Sequence, residues 1–257
     1  MKVVILAGGL GTRLSEETGT RPKPMVEIGG KPIIWHIMKF YSSYGYNDFI
    51  ICAGYKNEVI KNYFMNYFTA SNDFTINLKT GEYKVHGFSE DAWNVTIANT
   101  GLHTQTAGRL GRIKHYFEND EDFLLTYGDG LADINLKKCI QSHFTSKKAV
   151  TVTAVRPSGR FGELSLSKDN EVLEFQEKVE GSKGWINGGF FVCKTSLLHK
   201  IHNDNDILEQ DILPKIANQG DLNAYKHNGF WQPMDTLREK KMLNDMWKDG
   251  NAKWKIW

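Results

Sequence analysis

The chain has 257 residues, 40% hydrophobic and 24% charged, with a formal net charge of +2, which suits a soluble globular protein with a sizeable core. Near-balanced charge gives no reason to invoke nucleic acid or an anionic membrane as partner. No apolar run approaches the ~18 residues of a membrane span, and the first residues read as a core strand rather than a leader, so a cytoplasmic location is expected.

The first element is an apolar strand, Val3-Val4-Ile5-Leu6, which runs into Ala7-Gly8-Gly9-Leu10-Gly11-Thr12-Arg13-Leu14, followed by Pro22-Lys23-Pro24. Glycines let backbone N–H groups approach an anion, and Arg13 and Lys23 add two cations. The segment therefore reads as a nucleotide-phosphate site. Two common glycine motifs are excluded. A Walker A loop would need its Gly-Lys-Ser/Thr five residues after Gly8, where Arg13 stands. A dinucleotide fingerprint starting at Gly9 meets Leu14 at its third glycine position, and the next strand, Phe49–Cys52, ends in Ala53-Gly54 rather than in an acid for a ribose.

Helical and strand-like runs then alternate: Pro32–Tyr44, with Ile33, Ile34, Ile37 and Phe40 on one side, Phe49–Cys52, Asn57–Phe68, Phe123–Tyr127 and Leu136–Phe144. Alternation of this kind implies an α/β fold, a mostly parallel sheet with flanking helices, whose ligands bind beyond the carboxyl ends of the strands. Between residues 73 and 98 the texture changes to short alternating runs around Thr80-Gly81, which predicts a β-hairpin arm, either an edge decoration or an oligomer contact. From Ala149 to Val192 strands dominate, with glycine-bearing bends at Phe161-Gly162-Glu163-Leu164 and Asn187-Gly188-Gly189-Phe190. Nothing in the composition divides the chain, so residues 1–257 are read as one unit with a first half, 1–148, and a β-rich second half, 149–257.

The strand Phe123–Tyr127 ends in Gly128-Asp129-Gly130, which puts a carboxylate at a strand end, a good position for magnesium. Magnesium is usually held by one or two carboxylates plus substrate phosphates, so a second acid is expected, with Asp235 the candidate. Taken alone, either aspartate also suits a turn or a helix cap. Asp133 and the acidic run Glu118, Asp120, Glu121 and Asp122 are rivals for the role. Glu177 and Lys178 by themselves read as an exposed polar pair, and residues 100–110 as a polar loop entering a helix. Cys52, Cys139 and Cys193 are expected to be buried free thiols, without zinc spacing, and His199 and His202 read as surface residues. Trp247, Trp254 and Trp257, with the arm, suggest a self-association surface or a tail packed back on the domain.

The opening strand, Gly9-Leu10-Gly11-Thr12-Arg13-Leu14 and the lysine between prolines resemble the signature of the sugar-1-phosphate nucleotidyltransferases. Ser15-Glu16-Glu17-Thr18, Pro22–Ile33, Trp93–Thr96, Gly108-Arg109-Leu110, Tyr127–Gly130 and Phe230–Arg238 resemble, over essentially the whole chain, the branch of that family that makes CDP-glucose. The resemblance implies a Rossmann-like sheet with a nucleotide-binding first half and a β-rich, sugar-phosphate-binding second half. It implies that CTP and α-D-glucose 1-phosphate give CDP-glucose and pyrophosphate by magnesium-assisted in-line attack, with no covalent intermediate.

By the same resemblance Arg13 stabilises the leaving pyrophosphate, Lys23 bridges the reacting phosphates, and Asp129 and Asp235 hold magnesium. Substrate contacts fall on Leu6, Ala7, Gly8, Gly9, Leu10, Gly11, Thr12, Arg13, Lys23, Thr104, Arg109, Gly128, Gly162, Glu177, Lys178 and Asn187. Thr104 and Arg109 would read cytosine, an acceptor hydroxyl and an arginine donor complementing the base's 4-amino group and its O2 and N3. Glu177-Lys178 resembles an element whose acid meets sugar hydroxyls and whose lysine meets the sugar phosphate; Val179 departs from its usual proline. A homo-oligomer, commonly a hexamer, and a role upstream of deoxysugars of surface polysaccharide such as O-antigen lipopolysaccharide are further implications. The same chemistry with UTP or dTTP, and a non-catalytic sugar-nucleotide sensor on this fold, stay open.

Overall fold

The computed structural model describes residues 1–117, 122–157, 163–166, 172–176 and 184–257. Seven strands form the central sheet: β1 (Val3–Ala7), β2 (Asp48–Ala53), β3 (Asn94–Asn99), β4 (Asp122–Tyr127), β5 (Val150–Val155), β6 (Ile186–Lys194) and β7 (Leu222–His227). Their order across the sheet is β7-β5-β6-β4-β1-β2-β3. β1 lies parallel to β2 and β4, β2 to β3, and β5 to β7, while β6 runs antiparallel to its neighbours β4 and β5. The chain thus builds outward from β1 through β2 to β3, then returns to the other side of β1 as β4. Strand ends diverge at such a reversal, and the crevice between β1 and β4 is where the ligands of open α/β sheets bind.

The helices flanking the sheet include α1 (Ile33–Ser42), α2 (Asn57–Met65), α3 (Thr106–Arg112), α4 (Leu136–Ser146) and α5 (Leu237–Lys248). All five residues of β1 are buried, the pattern of a parallel strand covered on both faces. Val3, Ile5 and Ala7 join a core with Ile33, Ile37 and Tyr41 of α1, whereas Val4 and Leu6 face Ala107 and Leu110 of α3. Pro32 ends a two-residue strand and α1 starts at Ile33, one position later than the sequence suggests. The Asn57–Phe68 run divides into α2 and a short helix, Tyr67–Ala70. The three cysteines are free and buried.

The hairpin arm is smaller than expected. Asp73–Ile76 and Tyr83–His86 pair only with each other, whereas Asn94–Ile97, read as part of the arm, belongs to β3, the edge strand of the central sheet. The reason is local: Asn94–Asn99 carries the register Asp48↔Asn94 to Ala53↔Asn99 with β2 and half-buries Val95 and Ile97, which a free arm could not do. Phe74, Ile76, Leu78, Tyr83 and Phe88 of the arm region are exposed.

The C-terminal tryptophans pack back onto α1. Trp254 is fully buried, its Nε1 donating to His36 Nδ1 at 3.3 Å, and Trp247 lies edge-on to the same imidazole at 4.7 Å between ring centroids. His36 Nε2 donates to the Ile28 carbonyl at 2.8 Å. Burial pushes the His36 pKa down from 6.5 to about 4, so the ring is neutral and can serve both partners.

Candidate functional site

A cavity of about 800 Å³ opens at the carboxyl ends of β1 and β4, lined by the glycine loop, Lys23, residues 102–106, Tyr127, Asp129, Asn187 and Asp235. Its floor follows from strand register. Leu6 pairs with Tyr127, and the Gly128 N–H donates to the Leu6 carbonyl at 2.9 Å, so the residues that follow both strands emerge side by side. The glycine loop turns at Gly11, whose φ of 66° is costly for a side-chain-bearing residue. Thr18 Oγ1 then fixes the turn by sharing its one proton between the carbonyls of Gly11 and Leu14. A Cβ on Gly8 would sit 2.1 Å from a terminal nitrogen of Arg109, so glycine is required there by close approach. Gly9 faces open space, leaving its backbone accessible to a ligand.

At the cavity's centre Lys23, on the turn Lys23–Met25, is buried and reaches two carboxylates at once. Its Nζ lies 2.5 Å from Asp129 Oδ2 and 2.5 Å from Asp235 Oδ1. Arg13, 72% exposed at its side chain, adds a bond from Nη1 to Asp235 Oδ2 at 2.7 Å. Asp129 comes from the turn after β4. Asp235 comes from the residue before the cap of α5. The cap itself is Thr236, which exchanges a full capping box with Glu239, and Glu239 also accepts from the Asp235 N–H at 2.7 Å. Asp235 is thus relieved of the capping role that its sequence position allowed, and its carboxylate turns to the cavity.

The two acids provide hard oxygen donors converging on one point, where an ammonium now holds the positive charge. That donor set fits magnesium, which takes one or two carboxylates and completes its octahedron from water and substrate phosphates. Among the described residues no group of three or more His, Cys, Asp or Glu gathers as a metal cluster. The rivals lie elsewhere: Asp133 Oδ1 stands 3.1 Å from His227 Nε2, Asp122 stands 3.8 Å from His143, and residues 118–121 fall outside the described residues.

Residues 2–251 match the family model described as nucleotidyl transferase. The chain belongs to the nucleotidyl transferase family. It is 53% identical over its full length, and the relative's, to the glucose-1-phosphate cytidylyltransferase of Salmonella typhimurium. It is 30% identical, over 84% of this chain and 86% of the relative, to the D-glycero-α-D-manno-heptose 1-phosphate guanylyltransferase of Aneurinibacillus thermoaerophilus. Among solved structures it resembles HddC from Yersinia pseudotuberculosis, with a TM-score of 0.68 and 25% identity over 96% of this chain and 99% of that one.

Of the residues singled out in this nucleotidyl transferase, Leu6 to Arg13, Lys23, Thr104, Arg109, Gly128, Asp129, Asn187 and Asp235 all line the one cavity. Gly162, Glu177 and Lys178 lie outside the residues whose side chains are described. Arg109 is buried, and its terminal nitrogens are committed within the protein: Nη1 to Thr100 Oγ1 at 2.8 Å and the Gly101 carbonyl at 2.7 Å, Nη2 to the Gly8 carbonyl at 2.9 Å and more weakly to that of Leu102. It ties the glycine loop to the loop after β3. Gly54 makes room for it, since a Cβ there would lie 2.4 Å from Nη1.

Sequence reasoning missed Tyr127 as a site residue, and it missed Thr106, Glu209 and Trp231, which line the same cavity. Tyr127 directly precedes the Gly128-Asp129 turn and was within reach. Glu209 had no signal, because it stands in a five-residue π-helix, Leu208–Ile212, running into the helix Leu213–Asn218 and too short for a periodic pattern to announce.

Proposed function

We propose that this protein transfers the cytidylyl group of CTP to α-D-glucose 1-phosphate, giving CDP-glucose and pyrophosphate. The observation that carries the reading is the convergence of Lys23, Arg13, Asp129 and Asp235 beside the glycine loop, in a chain 53% identical throughout to a glucose-1-phosphate cytidylyltransferase. Both reactants are anions and the attacking sugar-phosphate oxygen is already a nucleophile, so positioning and charge neutralisation are the main tasks. The glycine loop offers backbone N–H groups to the triphosphate. Lys23 exchanges carboxylate partners for phosphate oxygens of the reacting pair, and Arg13, at the exposed rim, meets charge building on the leaving pyrophosphate. Asp129 and Asp235 would hold magnesium, which supplies Lewis-acid polarisation of the α-phosphate.

In this reading Thr104 and the loop clamped by Arg109 shape the base pocket, and Gly128 and Asn187 face the sugar. The sugar-phosphate roles of Gly162, Glu177 and Lys178 rest on sequence resemblance alone. The exposed apolar hairpin supports assembly with further copies of the chain, since an isolated two-stranded ribbon is marginal in water. No helix of the described residues is long and apolar enough to cross a membrane. A cytoplasmic enzyme supplying CDP-glucose to surface-polysaccharide synthesis accords with this reading.

Arg13→Ala tests the site. With a side chain 72% exposed, Arg13 contributes little to folding, so its loss should leave thermal unfolding unchanged while pyrophosphate release falls about 10²–10³-fold. Turnover within threefold of wild type would refute the assignment.

A further inference from the structure

Glu209 belongs to none of the motifs above, yet it joins two segments of the chain that line the cavity. Its Oε2 accepts from Thr106 Oγ1 at 2.8 Å, and its Oε1 accepts from the Tyr127 hydroxyl. Thr106 is the first residue of α3, the helix that carries Arg109 and follows the Leu102–Gln105 wall of the cavity. Tyr127 is the last residue of β4, next to the Gly128-Asp129 turn, and its hydroxyl also accepts from Asn187 Nδ2 at 3.2 Å. One carboxylate therefore holds the base loop with one oxygen and the sugar-side wall with the other.

The surroundings make this link stiff. Thr106 Oγ1 accepts the Leu208 N–H at 2.8 Å, so its only proton is directed at Glu209. The Asp206 carbonyl accepts from the Ala107 and Gly108 N–H groups, docking the segment before Glu209 onto the start of α3. The Tyr127 ring lies against Gly189, where a Cβ would come within 2.5 Å of it. Burial and the Glu209 charge both raise the Tyr127 pKa, which keeps the phenol protonated and donating. A carboxylate is acceptor-only and can satisfy two hydroxyl donors at once, whereas an amide in its place offers one acceptor oxygen and two N–H donors that neither hydroxyl hydrogen can use.

We infer that Glu209 is a positioning residue that holds two binding walls in place, the one for the nucleotide through Thr106 and the one for the sugar phosphate through Tyr127. This rests on the proposed reaction. Glu209→Ala should raise KM for both CTP and glucose 1-phosphate about tenfold with kcat within about threefold, Thr106→Val only KM for CTP, and Tyr127→Phe only KM for glucose 1-phosphate. The Thr106→Val/Tyr127→Phe double variant should reproduce Glu209→Ala, and adding Glu209→Ala to it should change neither KM further, because residues of one network are not additive.

Glu209→Gln, close in shape, provides the same readout if the alanine variant does not fold, with both KM values raised by a smaller factor. A Glu209 variant that lowers only the melting temperature, or that moves one KM alone, overturns the inference. Wild type run alongside separates the two levels: no turnover of CTP with glucose 1-phosphate refutes the proposed reaction, whereas wild-type turnover with unaffected Glu209 variants refutes the role of Glu209.

Discussion

Replacing Lys23 by methionine probes the centre of the site without relying on turnover. The substitution keeps much of the stem and removes the ammonium that holds Asp129 and Asp235 together, leaving two carboxylates with side chains 27% and 13% exposed facing each other. Breaking a buried ion pair from one side costs roughly 3–5 kcal/mol; partial exposure of Asp129 and the Arg13 contact to Asp235 bring the expectation here to about 2–3 kcal/mol. For a chain of this size that corresponds to a fall of roughly 5–10 °C in Tm.

The assay is thermal unfolding by circular dichroism at pH 8 in EDTA, repeated through a magnesium titration without substrates. Lys23→Met should start low and recover as magnesium takes the vacated position, by about 2.7 kcal/mol once the ion exceeds its Kd a hundredfold. Wild type, its acid pair already neutralised by Lys23, should move little. Equal Tm values in EDTA, or equal magnesium shifts in the two proteins, would refute the argument that the acids and the lysine share one charge site.

Acid should act through His36. The folded ring has its pKa lowered to about 4 against 6.5, so the unfolded chain takes the proton first. Stability is then complete above pH 6.5 and falls by about 3 kcal/mol as pH drops to 4; urea midpoints should track this, and His36→Gln should flatten the slope. Gly54→Ala would drive a Cβ to 2.6 Å from the Gly101 carbonyl and 2.8 Å from that of Gly8. It should cost about 1–3 kcal/mol by overpacking, read by urea unfolding, together with at least tenfold in kcat/KM for CTP. On the arm, Leu78→Lys, at a position 88% exposed, should reduce the assembly mass measured by light scattering while leaving the far-ultraviolet spectrum unchanged. An unaltered mass would remove the arm from the assembly contact.

What could be read from the chain was what the chain keeps local. The β1 strand and its glycine loop are contiguous, and Gly128-Asp129 follows directly from the apolar run of β4. Their meeting was legible from the rule for parallel sheets. Asp235 was harder, because it stands 212 residues from Lys23 and its local context also suits a helix cap. Only the structure shows that Thr236 and Glu239 take that duty. Arg109 was legible as a site residue, but its commitment to the carbonyls of Gly8 and Gly101 depends on how two loops approach in space. Asn94–Ile97 was misassigned to the arm because alternation looks the same in an arm and at a sheet edge, and register alone separates them. Glu209 stayed invisible because a π-helix of five residues is too short to show a period.

Whether this cavity makes CDP-glucose is decided by pyrophosphate release with glucose 1-phosphate across CTP, UTP, dTTP, ATP and GTP, with the sugar nucleotide identified by mass. CTP should be preferred by at least a hundredfold in kcat/KM, since a polar base site penalises a partner that leaves its groups unpaired. Equal or faster turnover with UTP or dTTP would contradict the cytidine assignment, and binding of CTP without pyrophosphate release would contradict catalysis altogether.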